Sequence, residues 1–327
     1  MNSLNTLYLG LQLKNPIVVS SSGLTSNLEG IRRIQNNGAG ALVLKSLFEE
    51  QILHETKSLA VSSDYPEAMD YLVGYVSSNT VERYLELIAS AKREVDIPVI
   101  ASVNCFSASQ WIDYAQQIQA AGADALEVNV FQLPNNVSQG AEHYEALYLT
   151  LAEKLSKKVS IPLSFKLGSH FTNPLNIIQQ LWNRRVKGVV LFNRFYAPDI
   201  DIDEMRISAS DVFSQPSDIR STLRWVGMVS HMLPHVSTAS STGVHTGEGV
   251  VKMLLAGASA VQVCSVLYQK GPEYIKVMLE FLSHWMDKKG YSTIDDFRGM
   301  LNYGGVGDPT VYERSQFMKY YSSHEEH

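Results

Sequence analysis

Short β-branched runs and amphipathic stretches alternate along this chain from one end to the other. Apolar runs at residues 17–20, 41–45, 99–104, 125–130, 163–167, 188–192, 236–240 and 260–264 have the length and composition of buried strands. Between them, apolar residues spaced by three and four predict helices over 28–37, 81–94, 109–121, 141–157, 174–184, 216–233 and 247–256, with a last helix over 273–288. Glycine stands just before several strands, in Asn37-Gly38-Ala39-Gly40, Ala121-Gly122-Ala123, Lys187-Gly188 and Ala256-Gly257-Ala258, where a left-handed residue ends a helix. Asp96-Ile97-Pro98 and Ser160-Ile161-Pro162 open strands in a related way, because proline stops a helix and fixes an extended entry.

Eight strand–helix alternations predict a parallel sheet with helical crossovers, and eight strands close a barrel. The expected fold is therefore α/β, a (β/α)8 TIM barrel forming one domain over residues 1–327, its last stretch of about 20 residues a flexible tail. An open doubly wound sheet is the rival topology. Two connections are long, 46–80 and 193–215, and both follow C-terminal strand ends, the catalytic face of such barrels. They are candidate lids or substrate loops, with decorative insertion as the plainer alternative.

Composition narrows the class. Apolar residues make up 45% and charged residues 18%, so a large core is available and a disordered chain is excluded. The net charge of −6 and the lack of a Lys/Arg cluster argue against nucleic-acid binding. No apolar run approaches a membrane span, and the first residues lack the basic and apolar regions of a signal peptide. Cys105 and Cys264 follow different strand-like runs without metal-ligand spacing, which fits a reducing, cytoplasmic location and no metal site. His231 and His235 are four apart, but Pro234 interrupts that helix end, so they read as structural.

Polar residues crowd the C-terminal strand ends: Ser20-Ser21-Ser22-Gly23, Lys45-Ser46, Asn104-Cys105, Glu127 and Asn129, Lys166, Asn193, and Ser240-Ser241-Thr242-Gly243. A lysine inside an apolar strand is costly unless paired, so Lys45 and Lys166 point to an anionic or electron-rich ligand. A buried Lys166–Glu127 pair is the plainer account. The segment Ser241 to Gly247 combines small residues with a helix start, which suits a phosphate, and Cys264-Ser265 follows the eighth strand at the recurrent phosphate site of these barrels.

These residues carry a resemblance. From residue 4 to 302 the chain is similar to the dihydroorotate dehydrogenase family, in Leu4-Asn5-Thr6 through Asn15-Pro16 and Ser21-Ser22-Gly23, in Glu127-Val128-Asn129-Val130, and in Thr242-Gly243-Val244 with Thr246-Gly247. Gly257 to Val263 and Gly290-Tyr291 through Asp295-Asp296-Phe297-Arg298-Gly299 extend the match. The resemblance implies an N-terminal β-hairpin, long loops on the C-terminal face, bound FMN, a dihydroorotate-like acid as substrate, pyrimidine biosynthesis and a homodimer. It implies that Ser21, Ser22 and Gly23 lie along the flavin ring, and that Lys45, Ser46 and Lys166 contact its polar edge and ribityl chain. Ser241, Thr242, Gly243, Cys264 and Ser265 would hold the phosphate. Asn129, Asn135 and Asn193 would grip the substrate ring, because amides both donate and accept.

The resemblance fails where the family carries its base. A Ser-Cys-Pro-Asn or Ser-Ser-Pro-Asn loop follows strand four in the family; here it reads Phe131-Gln132-Leu133-Pro134-Asn135, and neither Gln132 nor Leu133 has a titratable proton. The Gly-rich segment beyond strand six is replaced by 199–203 and 220–225. Three readings stay open: a flavin oxidoreductase of a different substrate that recruits Arg194, Tyr196 or Cys105; dihydroorotate oxidation with a displaced base such as Ser138; or FMN binding without that catalysis. Arg194 would hold a carboxylate, or else pair with the acidic run 199–204. An aldolase-type barrel using Lys45 or Lys166 as a Schiff base is the rival from another class. No Cys cluster for an iron–sulfur relay is present, so a soluble electron acceptor is expected.

Overall fold

The computed structural model describes residues 2–48, 66–105, 111–130, 132–194, 197–209 and 211–313, with only the backbone of 66–79, 111–112 and 209. The N-terminus forms an antiparallel hairpin of β1 (Thr6–Tyr8) and β2 (Leu11–Leu13). Then follow β3 (Ile17–Val19), α1 (Leu28–Asn36), β4 (Ala41–Val43), β5 (Leu47–Phe48), α2 (Pro66–Glu94), β6 (Val99–Cys105) and α3 (Trp111–Ala120). The centre holds β7 (Ala125–Val130), α4 (Ala141–Ser156), β8 (Leu163–Leu167), α5 (Pro174–Asn183) and β9 (Gly188–Leu191). A second hairpin, β10 (Pro198–Asp201) and β11 (Arg206–Ala209), precedes α6 (Ile219–Met232), β12 (Ser237–Ser240), α7 (Gly247–Leu255) and β13 (Ala260–Val263). The described chain ends with α8 (Ser265–Lys270), α9 (Tyr274–Lys289) and α10 (Thr310–Glu313).

Eight parallel strands, β3, β4, β6, β7, β8, β9, β12 and β13, pair in sequence order, and β13 returns to β3, so the sheet closes. The (β/α)8 barrel is the fold, and an open doubly wound sheet is excluded by that closure. Alternate residues of each strand face in and out. The inward set at the N-terminal end is small: Ala41, Ala125, Ala239 and Ala260 leave room for Tyr8, Leu9 and Leu13 of the first hairpin, which plug the barrel from below. Full burial of a side chain such as Leu13 is worth roughly 1.5–3 kcal/mol. Farther up, the inward set turns polar, with Ser102, Glu127, Ser164, Lys166 and Gln262 all buried. That gradient places the chemistry at the C-terminal mouth.

The strand openings share a device that the proline signals only partly reveal. Gln35 on α1 accepts hydrogen bonds from the Asp96 and Ile97 amides at 2.6 and 3.4 Å, and Gln119 on α3 accepts from Ser160 and Ile161 at 2.6 and 3.1 Å. Each glutamine satisfies the amides just ahead of an Ile-Pro strand entry. Gly38, Gly122 and Gly257 take the left-handed conformation expected of them. Gly188 does not. Arg185 makes the left-handed turn after α5, and Gly188 is small because a Cβ there would lie 2.4 Å from the Ser237 carbonyl oxygen.

Three expectations are corrected. Residues 46–80 are not one long loop, because β5 occupies its start and α2 begins at Pro66, well before residue 81. The 193–215 connection carries the hairpin β10–β11, with Asp199 opposite Ser208. Lys45 is not a buried strand lysine; it lies beyond β4 with its side chain exposed, so the desolvation argument applies to Lys166 alone. The first residues of the expected flexible tail form α10 (Thr310–Glu313), and the rest of it, with Phe131 and Tyr196, lies outside the described residues.

Candidate functional site

Lys166 lies on β8 one residue short of the mouth and is 7% exposed. Its ammonium donates to Ser20 Oγ at 2.9 Å and to Gln262 Oε1 at 3.0 Å. Ser20 Oγ also donates to Gln262 Oε1 at 3.0 Å, so β3, β8 and β13 meet in one triangle. Gln262 Nε2 donates to Glu127 Oε2 at 2.6 Å. The plainer account, a Lys166–Glu127 pair, is thus not met directly: an amide stands between the two side chains. An ammonium has three donors, and these contacts use two.

Beside this triangle runs a chain of hydroxyls. Ser46 Oγ lies 3.0 Å from Ser21 Oγ and 2.7 Å from Ser102 Oγ, and Asn129 Nδ2 donates to Ser102 Oγ at 3.0 Å. The donor end of Asn129 is therefore engaged inside the barrel, which leaves its carbonyl as the group for a ligand. Burial pushes the Cys264 thiol up from its ordinary value, although a hydrogen bond with Ser22 and the Lys166 charge pull the other way. Cys264 is accordingly a neutral wall of the site at pH 7 rather than a nucleophile.

The loop after β12 is held in a strained form. Thr242, a β-branched residue, sits at φ 75°, and its Oγ1 donates to the Phe192 carbonyl at 2.9 Å. Gly243 follows at φ 81°, and a Cβ on it would fall 2.2 Å from the Ile219 backbone nitrogen. Thr246 then caps α7 by accepting from the Gly249 amide at 3.1 Å. Backbone groups and a helix start converge here, the arrangement that receives a phosphate.

Ser214, which sequence reasoning missed, joins this loop to the one after β13. Its Oγ lies 3.0 Å from His245 Nε2 and 3.1 Å from Ser265 Oγ, and it accepts from the Gly243 amide at 3.4 Å. The only signal in the sequence is Ser214-Gln215-Pro216 just ahead of a helix, where small and capping residues gather. A cavity of about 160 Å³ brings together Ser20, Ser21, Lys166, Asn193, Arg194, Ser214, Thr242, Gly243, Cys264 and Ser265. A larger cavity of about 520 Å³ lies under the first hairpin at the other end of the barrel, away from these converging donors.

Burial holds the His245 imidazole below its usual value of 6.5. The unfolded chain then takes up a proton near pH 6.5 that the folded chain refuses, so stability is complete above that pH and falls as the pH drops through it. Denaturant melts between pH 7.5 and 5.5 are expected to show this loss, and His245→Gln to reduce it. An equal loss in the variant would contradict the assignment.

Other expected residues lie apart. Cys105, at the end of β6, alternates with the inward Asn104 and packs with Val103 and Val130 in the layer outside the barrel wall, so it does not face the mouth. Ser138 and Asn135 are exposed on the loop after β7, and the Ser138 amide donates to Asn136 Oδ1 at 2.9 Å. Gln132 is half-buried, its Oε1 without a hydrogen-bond partner. Arg194 donates to the Val212 carbonyl at 2.8 Å and lies 3.9 Å from Asp218, rather than pairing with the acidic run 199–204. Ser22, Asn193 and Thr242 are half-buried, Gly23 is exposed, and Ser241 is buried. Among the described residues no three His, Cys, Asp or Glu side chains group as metal ligands, and no helix is long and apolar enough to cross a membrane.

A family model described as dihydroorotate dehydrogenase matches residues 3–286. The catalytic subunit of dihydroorotate dehydrogenase B (NAD(+)) from Thermoplasma acidophilum is 27% identical over 305 residues, which cover 92% of this chain and 99% of the relative. Dihydroorotate dehydrogenase A (fumarate) from Limosilactobacillus reuteri is 24% identical over 307 residues, covering 88% and 94%. Among solved structures, DHODH from Eimeria tenella in complex with ferulenol superposes with a TM-score of 0.66 at 13% identity, over 91% of this chain and 88% of that one. That last likeness is one of fold.

Proposed function

The chain belongs to the dihydroorotate dehydrogenase family, whose enzymes are FMN-dependent flavoproteins, and from that premise we propose an FMN oxidoreductase that keeps the flavin side of the family's site and departs on the substrate side. The observation that carries this reading is the buried ammonium of Lys166, held by two neutral acceptors with one donor to spare. A lysine in such a place fits a ligand edge that gains negative charge.

The residues fit FMN at both ends. Lys166 and Ser20 would hold the polar edge of the ring, with Ser21, Ser22 and Ser46 beside it. Thr242, Gly243 and Ser265 would hold the phosphate, and the missing Cβ at Gly243 is what lets the loop close on Ile219. When bound, FMN supplies a two-electron acceptor at its N5 atom. Asn129 and Asn193 would orient a small planar acid, and Arg194 would meet its carboxylate. Lys45, exposed at the mouth, is free to approach the ring from the solvent side. The acceptor for the second half-reaction would be a small soluble oxidant. A homodimer is part of the proposal, and exposed Ile200, Ile202, Met205 and Ile207 on the second hairpin are apolar surface available to it.

The missing base sets the substrate side. From Gln132 to Gly140 the loop offers one hydroxyl, on exposed Ser138, and no carboxylate, imidazole or thiol. General-base catalysis contributes about 10²–10⁴-fold, so dihydroorotate oxidation would be slower by that order than with a base in place. Anaerobic addition of dihydroorotate to the FMN-loaded protein is expected to leave the visible absorbance of the bound flavin unbleached over seconds. Bleaching within the mixing time would show that a base is present and overturn this reading.

A further inference from the structure

Among the described residues, Glu127 is the charged group left partly unpaired inside the barrel. It is wholly buried on β7, its Oε1 has no hydrogen-bond partner, and its Oε2 accepts one bond, from Gln262. Glu127 itself touches no cation: the ammonium it faces is one amide away. The direction of that amide is forced. Lys166 can only donate and a carboxylate can only accept, so Gln262 must turn its carbonyl to the lysine and its NH2 to the glutamate. Both bonds are charge-assisted, and each polarises the amide in the sense that strengthens the other.

Gln262 is itself 2% exposed, so each end of its amide needs a partner. Without an acceptor at Glu127, the NH2 would be buried and unpaired. That penalty is as large as the bond to Lys166 is worth, and the side chain would leave its position to satisfy it. Ser20 cannot take over, because its hydroxyl already accepts from Lys166 and donates to Gln262.

We propose that Glu127 is a positioning residue for Lys166: through Gln262 it anchors the carbonyl that holds the ammonium beneath the mouth, with its third N–H turned toward the ligand. The inference rests on the flavin reading for what that N–H meets. The separation by one amide has a chemical use. A direct carboxylate would hold the ammonium in an ion pair, whereas a neutral carbonyl fixes its place and leaves its charge available.

The test compares Glu127→Gln with Glu127→Met. Both are neutral and close to glutamate in size, so charge and packing nearly cancel; glutamine keeps an acceptor and adds an NH2, and the Gln262 background below isolates the part that runs through the acceptor. The quantity measured is the preference of the protein for reduced over oxidised FMN, taken from the midpoint potential of the bound flavin. Glu127→Met is expected to fall about tenfold below Glu127→Gln in that preference, which for two electrons is about 30 mV. Placed on a Gln262→Met background, the two substitutions are expected to coincide. Equal values for the single variants, or a difference that survives on the Gln262→Met background, would overturn the proposal.

A second readout does not need flavin. In 15N-labelled flavin-free protein the Gln262 side-chain amide is expected to exchange slowly in the wild type and in Glu127→Gln, and fast in Glu127→Met. Slow exchange in Glu127→Met would overturn the anchor. If the wild type takes up no FMN, the flavin reading fails by itself, and this amide signal still decides the role of Glu127.

Discussion

Lys166→Met is expected to reduce the rate at which a substrate reduces the bound flavin by about 100- to 1,000-fold, the usual cost of removing one preorganised donor from developing charge. The substitution also strips the charged donor from Ser20 Oγ and Gln262 Oε1, which keep only the bond between them, and a hydrogen bond to a charged group is worth about 1.5–3 kcal/mol. Both losses act together, so the variant should melt earlier as well as react more slowly. Lys166→Arg should not restore the rate, because a planar guanidinium needs more room than the pocket around Lys166, a residue only 7% exposed, leaves. Stopped-flow reduction of each variant under anaerobic conditions measures the effect. A Lys166→Met protein that is reduced as fast as the wild type would remove the lysine from the mechanism. A Lys166→Met rate restored by free alkylamine would instead support its role as a cation at the ring.

Gly243→Ala is expected to abolish tight FMN binding, weakening it by at least about 100-fold, while the barrel still folds. Two independent effects add at this position. The backbone has φ 81°, where an L side chain costs about 1–3 kcal/mol. The new methyl would also stand 2.2 Å from the Ile219 nitrogen and 2.7 Å from the Asp218 carbonyl carbon, both backbone atoms that cannot swing aside. The start of α6 must therefore move, and with it the loop that carries Ser214. The strands make no use of Gly243, so the circular dichroism of the flavin-free variant should match that of the wild type. Wild-type FMN affinity in Gly243→Ala would show that the loop after β12 does not hold the phosphate.

The barrel is legible in the sequence because each buried strand reads as an unbroken apolar run, and the helices between them keep their three- and four-residue spacing. All eight barrel strands lie within a residue or two of their expected limits. The second hairpin is not legible in the same way. Pro198-Asp199-Ile200-Asp201 and Arg206-Ile207-Ser208-Ala209 alternate, but the strands expose their isoleucines, so the pattern carries no sign of a buried face. The long helix α2 is hidden for a different reason: Met69, Leu72, Val73 and Val76 keep helical spacing, but Gly74 and the polar run Ser77-Ser78-Asn79-Thr80 interrupt the pattern before residue 81.

The site divides in the same manner. Lys166 announces itself as a charge within an apolar strand, and the small residues of Ser241 to Gly247 announce a tight loop. Lys45 shows the same pattern and behaves differently, because it lies two residues beyond the end of β4, at the rim. Gln262 sits in Val261-Gln262-Val263 as a lone polar residue, and nothing in the run says that its partners are a lysine and a glutamate from the far wall. Ser20 and Ser102 are hidden for the same reason: their roles depend on which strands become neighbours when the barrel closes. Closure is a three-dimensional fact, and a one-residue shift of register would exchange the inward and outward sets.

The central claim is that this mouth holds FMN by its phosphate loop and its buried ammonium. Its most direct test is a titration of the flavin-free protein with FMN and, separately, with riboflavin, followed by the change in flavin fluorescence. The account predicts one FMN per chain bound tightly, with riboflavin weaker by about 100-fold or more, the worth of two charge-assisted bonds to the phosphate. A protein that binds neither flavin, or binds both with equal affinity, would contradict it.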